Sequence, residues 1–303
     1  MTERVTLRDR LCGYVMQIFY VSLLYMRNAA GKANVTQLGG PVVSLTTHGR
    51  RCRTVFLAVE SIARGTLLPS RLILWIDDIK LFDRLPCTIK RLQRRGLEVR
   101  FCPNYGPHTK YYPYLETQSS FDRPLVTADD DQLYPKYWLA NLVHAYESYP
   151  DCINCHWAVI MDVDDGGIAP YHRWKRCASP EPSYRYFALG VSGVIYPPRF
   201  LALLKELGTA FRECCPRADD IWLHMQALRA GYKIRQIAPK ELQSLKIPRS
   251  QHEALSRQND QGGANDHQVR QTYERSDIDK LRMACDGSIY ADERRQSITS
   301  VAV

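Results

Sequence analysis

After residue 40 the chain alternates short apolar runs with stretches of helical period. Residues 42–47 (VVSLTT) predict a strand. Val55, Leu57, Ala58, Val59 and Ile62 then recur with helical spacing over residues 52–64. A second strand is predicted at 72–76 (LILWI), ending at Asp77 and Asp78. A basic helix follows over 86–95, stopped by Gly96. Residues 97–101 and 125–128 predict two more strands, the second running into Asp129, Asp130 and Asp131. Pro135 opens a helix expected to reach residue 149.

Beyond residue 150 the pattern changes. Residues 151–190 are rich in Gly, Pro, aromatic and Arg residues and read as loop. A short strand is expected within 190–198 (GVSGVIYPP), helices at 199–207 and 221–230, and a last strand at 232–237. From about residue 245 the chain is polar, with a Gly-containing stretch at 261–266, and reads as a flexible tail or lid. Strands that are apolar throughout and alternate with helices predict an α/β architecture with a mostly parallel sheet covered by helices. Ligands of such sheets bind at the carboxyl ends of the strands, where both Asp77-Asp78 and the 129–131 triplet fall.

Residues 11–26 (LCGYVMQIFYVSLLYM) form an apolar run of 16 residues between Arg8/Arg10 and Arg27. A span of a bilayer takes about 20 apolar residues, so two readings stay open. One is a helix packed on the main domain; the other is an interfacial helix making peripheral membrane contact through residues 8–27.

The 303 residues are 45% hydrophobic and 24% charged, which excludes a disordered or low-complexity chain. A net charge of +9 favours anionic partners: nucleotides, nucleic acid or anionic lipid. Ten dispersed cysteines suit reduced thiols and a cytoplasmic setting, at the inner face of the membrane if the first helix touches it. Cys152 and Cys155 have metal-ligand spacing but lack a second pair.

Three adjacent carboxylates at a strand end repel one another unless a cation lies among them. Strand period places Asp129 and Asp131 on one side, so a divalent cation, Mn²⁺ or Mg²⁺, fits that pair. The bland reading is a solvated acidic turn. Asp219 and Asp220 open a helix, where acids cap well, and one of them can also serve as a general base. Lys110, in a Gly-Pro loop before a helix, suits a phosphate. Thr46, Thr47 and Arg51 follow the first strand. Neither a dinucleotide-binding glycine fingerprint nor a P-loop is present.

In order along residues 41–267, the stretches VVSLTTHGRR, LPSRLILWIDD, NYGPHTKYYPYLE, PLVTADDDQLYP, GIAPYHRW, GVSGVIYPP, CPRADDIWLHMQALRAG and QGGAND resemble the metal-dependent GT-A-type glycosyltransferases. Among these they look most like the bacterial enzymes of capsule and surface-polysaccharide synthesis. The resemblance implies a GT-A fold: a Rossmann-like, mostly parallel central sheet flanked by helices, with a loop-rich acceptor-side half. It implies an N-terminal helical segment (1–40), a catalytic domain (41–245, with a nucleotide-sugar half to residue 150 and an acceptor half beyond), and a polar tail or lid (246–303). Thr46, Thr47, Arg51, Asp77, Asp78, Lys110, Asp130, Gly190 and Gly193 would contact the nucleotide-sugar. Asp129 and Asp131 would hold the metal, with His267 completing its shell. Asp220 would be the base, beside Asp219. Trp174 and Trp222 would stack on sugar rings. The implied donor is a UDP-sugar, and the acceptor is a saccharide or a lipid-linked hydroxyl. A single base with no second nucleophile in view favours inversion. Two features depart from the family pattern: Trp157 stands where an Arg is expected, and Asp162, Asp164 and Asp165 are an additional acidic cluster.

The competing reading is a basic nucleic-acid-binding protein, motivated by the net charge and by KRLQRR at 90–95. The lack of a recognised motif and the acidic strand ends argue against nucleic acid as a partner. A nucleotide-sugar-binding protein without catalysis would carry the same motifs.

Overall fold

A computed structural model describes residues 7–164, 166–248 and 263–284, with side chains from residue 14. Asp165 and, within the expected tail, residues 249–262 and 285–303 lie outside the described residues. Helix α1 (Leu7–Ala30) leads into strand β1 (Val42–Thr46), helix α2 (Val55–Ile62) and strand β2 (Arg71–Ile76). Helices α3 (Ile79–Asp83) and α4 (Cys87–Gln93) precede β3 (Leu97–Phe101), and α5 (Tyr112–Thr117) precedes β4 (Leu125–Ala128) and β5 (Gln132–Leu133). After α6 (Trp138–Ser148) come β6 (Cys152–Cys155), β7 (Ala158–Ile160), β8 (Val163–Asp164), β9 (Gly167–Ile168), β10 (Lys175–Arg176), β11 (Tyr186–Ala188) and β12 (Val194–Tyr196). Helices α7 (Pro198–Glu206), α8 (Phe211–Cys214) and α9 (Asp219–Arg229), strands β13 (Lys233–Gln236) and β14 (Leu245–Lys246), and helices α10 (Ala264–Thr272) and α11 (Arg275–Met283) complete the described chain.

The central sheet has seven strands in the order β13-β6-β12-β4-β1-β2-β3. Strand β12 runs antiparallel to β4 and β6; the other neighbours are parallel. Strand period distributes the side chains to two cores. Val42, Ile73, Trp75 and Leu125 pack on one face, and Val43, Leu45, Leu74, Ile76 and Val126 on the other. This is the α/β, mostly parallel sheet flanked by helices that the strand–helix alternation predicts.

Two sequence expectations fail for a common reason. Residues 151–190 are not simply loop: they carry six strands of two to four residues, one of them, β6, inside the central sheet. Strands this short have no periodicity to read. Residues 264–283 are not a flexible tail but two helices packed on the body. Asn265, Gln268, Val269, Thr272, Asp277 and Leu281 are buried. The Arg229 guanidinium holds Asp277 at 2.8 Å, and a Glu274–Asp277 capping box closes the start of α11. These anchors are polar, so no apolar stripe announces them.

Helix α1 lies on α2 and α4. Leu24 is fully buried, Tyr25 meets the Phe56 ring edge-on at 4.9 Å, and Asn28 donates to the Thr88 carbonyl at 3.0 Å. Beneath it the buried Glu60 carboxylate pairs with Arg95. The basic run 90–95 is therefore divided: Arg95 points inward, while Lys90, Arg91 and Arg94 stay on the surface. Among the described residues no helix is long and apolar enough to cross a membrane.

The sheet directs its chemistry to one edge. Strands β1, β2, β4 and β6 end there, and β12, running the other way, begins there. The loop before β12 is fixed by Gly193, whose φ of +99° suits glycine and where a Cβ would lie 2.6 Å from the Trp138 indole nitrogen. That nitrogen donates to the Ser192 carbonyl at 2.7 Å.

Candidate active site

A cleft of about 1240 Å³ opens along this edge. Thr46 and Arg51 line it from β1 and the following turn, Asp77 and Asp78 from β2, Lys110 from the 106–110 turn, Asp129, Asp130 and Asp131 from β4, and Asp219 and Asp220 from the first turn of α9. Thr46 and Asp220, 174 positions apart in sequence, thus share one pocket.

Lys110 stands between the two acidic clusters. Its ammonium lies 2.6 Å from Asp129 Oδ1 and 3.8 Å from Asp219 Oδ2. Burial works against its charge, but Asp129, Asp219 and Asp220 together hold its pKa well above the ordinary lysine value. Its backbone is fixed from two sides. Ser44 Oγ donates to the Lys110 carbonyl at 2.6 Å, and Trp75 Nε1 donates to Ser44 Oγ at 2.9 Å. Two residues earlier, buried His108 stacks on Phe211 with 3.9 Å between ring centroids, and its Nε2 meets the Cys215 carbonyl at 2.7 Å. Burial depresses the His108 pKa to about 3, so the ring stays neutral and ties the lysine turn to the segment that leads into α9.

The triplet does not follow strand period, because β4 ends at Ala128 and residues 130–131 form a turn: Arg51 reaches both Asp130 and Asp131, while Asp129 takes Lys110. Asp130 turns inward, accepting from Thr47 Oγ1 at 2.6 Å and Arg51 Nη1 at 2.9 Å. Burial still pushes its carboxyl up to about 6, against the pull of Arg51. Asp131 receives Arg51 Nη2 at 3.2 Å and Gln132 Nε2 at 2.9 Å. Burial and the Asp129 charge raise its pKa. The Tyr134 hydroxyl accepts from the Asp129 N–H at 2.6 Å and sets the turn.

Asp220 Oδ2 accepts from the Gly190 N–H at 3.1 Å. Burial first, and Asp219 second, push the Asp220 carboxyl up to about 7; Lys110 and the Gly190 bond pull the other way. A carboxylate that titrates near neutrality can take a proton from a hydroxyl group. Gly190 is required by this contact, because a Cβ there would lie 2.8 Å from Asp220 Oδ1. Gly190→Ala therefore displaces the carboxylate while sparing the fold. We expect turnover to fall by roughly tenfold or more with thermal stability little changed; steady-state kinetics beside a melting curve checks this.

Several expected residues stand elsewhere. Thr47 is fully buried beneath Asp130. Gly190 and Gly193 shape the loop behind the cleft without lining it. His267 is exposed and does not line the cleft; Asn265, two residues earlier, does. Trp174 and Trp222 are core residues, leaving Trp157 as the indole at the cleft. Asp78 accepts from the Lys80 and Leu81 N–H groups and caps α3, so Asp77 is the freer of that pair. Asp162 pairs with Arg173 at 3.4 Å, and Asp164 accepts from the Gly166 N–H at 2.8 Å, which gives these two of the additional acidic residues local partners. Sequence reading missed Gln243, Ser244 and Lys246. They reach the cleft because β14 pairs with β5 and the Ile247 N–H donates to the Asp131 carbonyl at 2.8 Å.

The fit to a divalent cation rests on charge and donor type. Seven aspartates line the cleft against four Lys and Arg side chains: Arg51, Lys110, Arg217 and Lys246. Such a cleft repels a diphosphate unless a further cation enters with it. Among the described residues no group of three or more His, Cys, Asp or Glu side chains is arranged to hold a metal. The protein offers at most the Asp129 and Asp131 oxygens, which suits a hard cation that keeps phosphate and water as its other ligands. The eight described cysteines are free thiols, and burial pushes Cys52 up to about 11 and Cys102 up to about 12, so neither is a nucleophile here.

No family model matches the chain, and no curated protein matches it as a relative. Solved structures overlap it at low identity. Residues 1–349 of TarS from S. aureus are 12% identical over 64% of this chain and 57% of that one, with a TM-score of 0.41. The mannosyltransferase PcManGT from Pyrobaculum calidifontis, in complex with GDP-Man and Mn²⁺, is 13% identical over 96% and 90%, with a TM-score of 0.44. CMP:2-keto-3-deoxy-manno-octonic acid synthetase, complexed with CTP, is 11% identical over 73% and 99%, with a TM-score of 0.41. The chain thus spans little more than half of the TarS structure's length.

Proposed function

We propose that the chain is a glycosyltransferase that moves a sugar from a nucleoside-diphosphate donor to a hydroxyl acceptor. The observation that carries this reading is the placement of Lys110 between Asp129 and Asp219, in the cleft where Asp220 stands with a pKa raised toward neutrality. The ordered stretches that resemble GT-A-type enzymes point the same way. The structural overlaps, all with TM-scores below 0.5, add no weight to it.

In this reading Thr46 and Asp77 face the nucleoside, and Lys110 faces the diphosphate. Asp129 and Asp131 would hold Mn²⁺ or Mg²⁺. Bound there, the cation supplies positive charge against the leaving diphosphate. Asp220 accepts the acceptor's hydroxyl proton as that oxygen bonds to the anomeric carbon. The bond from that carbon to the diphosphate oxygen breaks, and its electron pair leaves with the diphosphate. The Gly190 N–H keeps the Asp220 carboxylate aimed, and Lys110 limits the rise of its pKa. Attack opposite the leaving group, with one base, gives inversion. UDP is the nucleotide we favour, on the sequence resemblance.

Release of nucleoside diphosphate from UDP- and GDP-sugars, measured with and without added saccharide acceptors, tests the proposal. We expect slow donor hydrolysis alone and faster release with an acceptor. Tight donor binding with no release would mark a nucleotide-sugar-binding protein instead.

A further inference from the structure

We propose that the outward face of α1 docks the protein on an anionic lipid bilayer. Leu24 and Asn28 are buried in the body, while Tyr14, Val15, Met16, Ile18, Phe19 and Met26 stay uncovered over more than half of the helix's circumference. Each of these is between 50% and 65% exposed. No charged residue interrupts residues 11–26. Among the described residues this is the longest run of exposed large apolar side chains. An apolar face of this size on a surface helix marks an interaction site.

Charge selects the occupant. Between Asp9 and Glu60 the sequence has no acidic residue, while Arg10 and Lys32 border the apolar run; Arg27 turns inward to Glu60 at 3.7 Å. Arg64 lies over the Tyr20 ring at 5.0 Å, and exposed Lys136 and Tyr137 continue the same side of the body: the Thr66 N–H donates to the Lys136 carbonyl, and Tyr20 OH lies 3.5 Å from the Tyr134 carbonyl. An apolar face with a basic border and aromatic side chains fits the headgroup–acyl boundary of an anionic leaflet. The helix is not apolar enough to cross a membrane, so it lies along the surface. A second copy is the poorer occupant, because a self-paired face would set the same basic border against itself.

The bilayer contact does not depend on the proposed reaction. It extends that reading in one respect, because Gln17 Nε2 donates to the Lys246 carbonyl at 2.8 Å, and Lys246 lines the cleft. The rim of the cleft therefore stands beside the lipid-facing helix, where a lipid-linked acceptor would be presented.

Flotation of the full chain with vesicles tests the docking. Neutral phosphatidylcholine vesicles are compared with the same lipid containing phosphatidylglycerol. We expect the protein to float with the anionic vesicles, and less at high salt. We expect Ile18→Glu/Phe19→Glu to lower the bound fraction by roughly tenfold or more, with its melting temperature and donor binding unchanged. Absence of wild-type flotation, or flotation undiminished in the double variant, overturns the proposal. A wild-type dimer in sedimentation that the double variant converts to monomer would assign the face to a second copy and overturn it as well.

Discussion

Asp220→Asn is expected to lower turnover by about 10² to 10⁴-fold, the usual contribution of a positioned general base. An amide oxygen can still accept from the Gly190 N–H, so the helix start and donor affinity should survive. The pH profile gives the second readout. The base works when ionised. Burial and the Asp219 charge raise its pKa to about 7, so activity should climb as pH rises toward that value and level off above it. In Asp220→Asn that limb should vanish, leaving a low, flat rate. A variant that keeps the wild-type limb would move the base elsewhere, and a loss of less than about tenfold would remove Asp220 from the chemistry.

Lys110→Met should produce the second large effect. Its ammonium is the shared counter-charge of Asp129 and Asp219, and it also lowers the Asp220 pKa. Removing one partner of a mostly buried ion pair costs about 3 kcal/mol or more of stability. In the proposed reaction the substitution also removes a positive group from the leaving diphosphate, a loss of about 10² to 10³-fold in rate. The pH limb supplies a signature that simple destabilisation would not: without Lys110, Asp220 should titrate at a higher pH, and the rise in rate should move with it. Rates measured across pH in both proteins, beside melting curves, check all three effects. A limb that stays in place would show that Lys110 does not act on the base.

The site was legible in sequence where chemistry and position coincide locally. Asp129–Asp131 and Asp77-Asp78 each follow an apolar strand directly, and Asp219-Asp220 opens an apolar-faced helix, so strand ends and helix starts announced them. What stayed hidden depends on contacts between distant segments. Thr47, adjacent to cleft-lining Thr46, is buried and bonds to Asp130, and only the packing of β1 against β4 shows it. Ser244 and Lys246 reach the cleft through a two-residue strand, too short to have a period. The choice of His267 over Asn265 followed ligand chemistry, whereas the first turn of α10 faces the asparagine inward and leaves the histidine exposed. The short strands of residues 151–190 and the polar anchoring of α10 and α11 escaped the hydrophobic pattern for the same reason.

Ligand-induced stabilisation measures the central claim most directly: that the Asp129–Asp131 pair and Lys110 together form a cation-assisted diphosphate site. Melting temperatures would be recorded with UDP- and GDP-sugars, with Mn²⁺, and with both. The account predicts a rise for one donor that requires the cation and is lost in Asp131→Asn, as linkage demands of a ligand that binds only the assembled site. A donor-induced rise that is indifferent to Mn²⁺ and intact in Asp131→Asn, or no rise with any nucleotide-sugar, would contradict it.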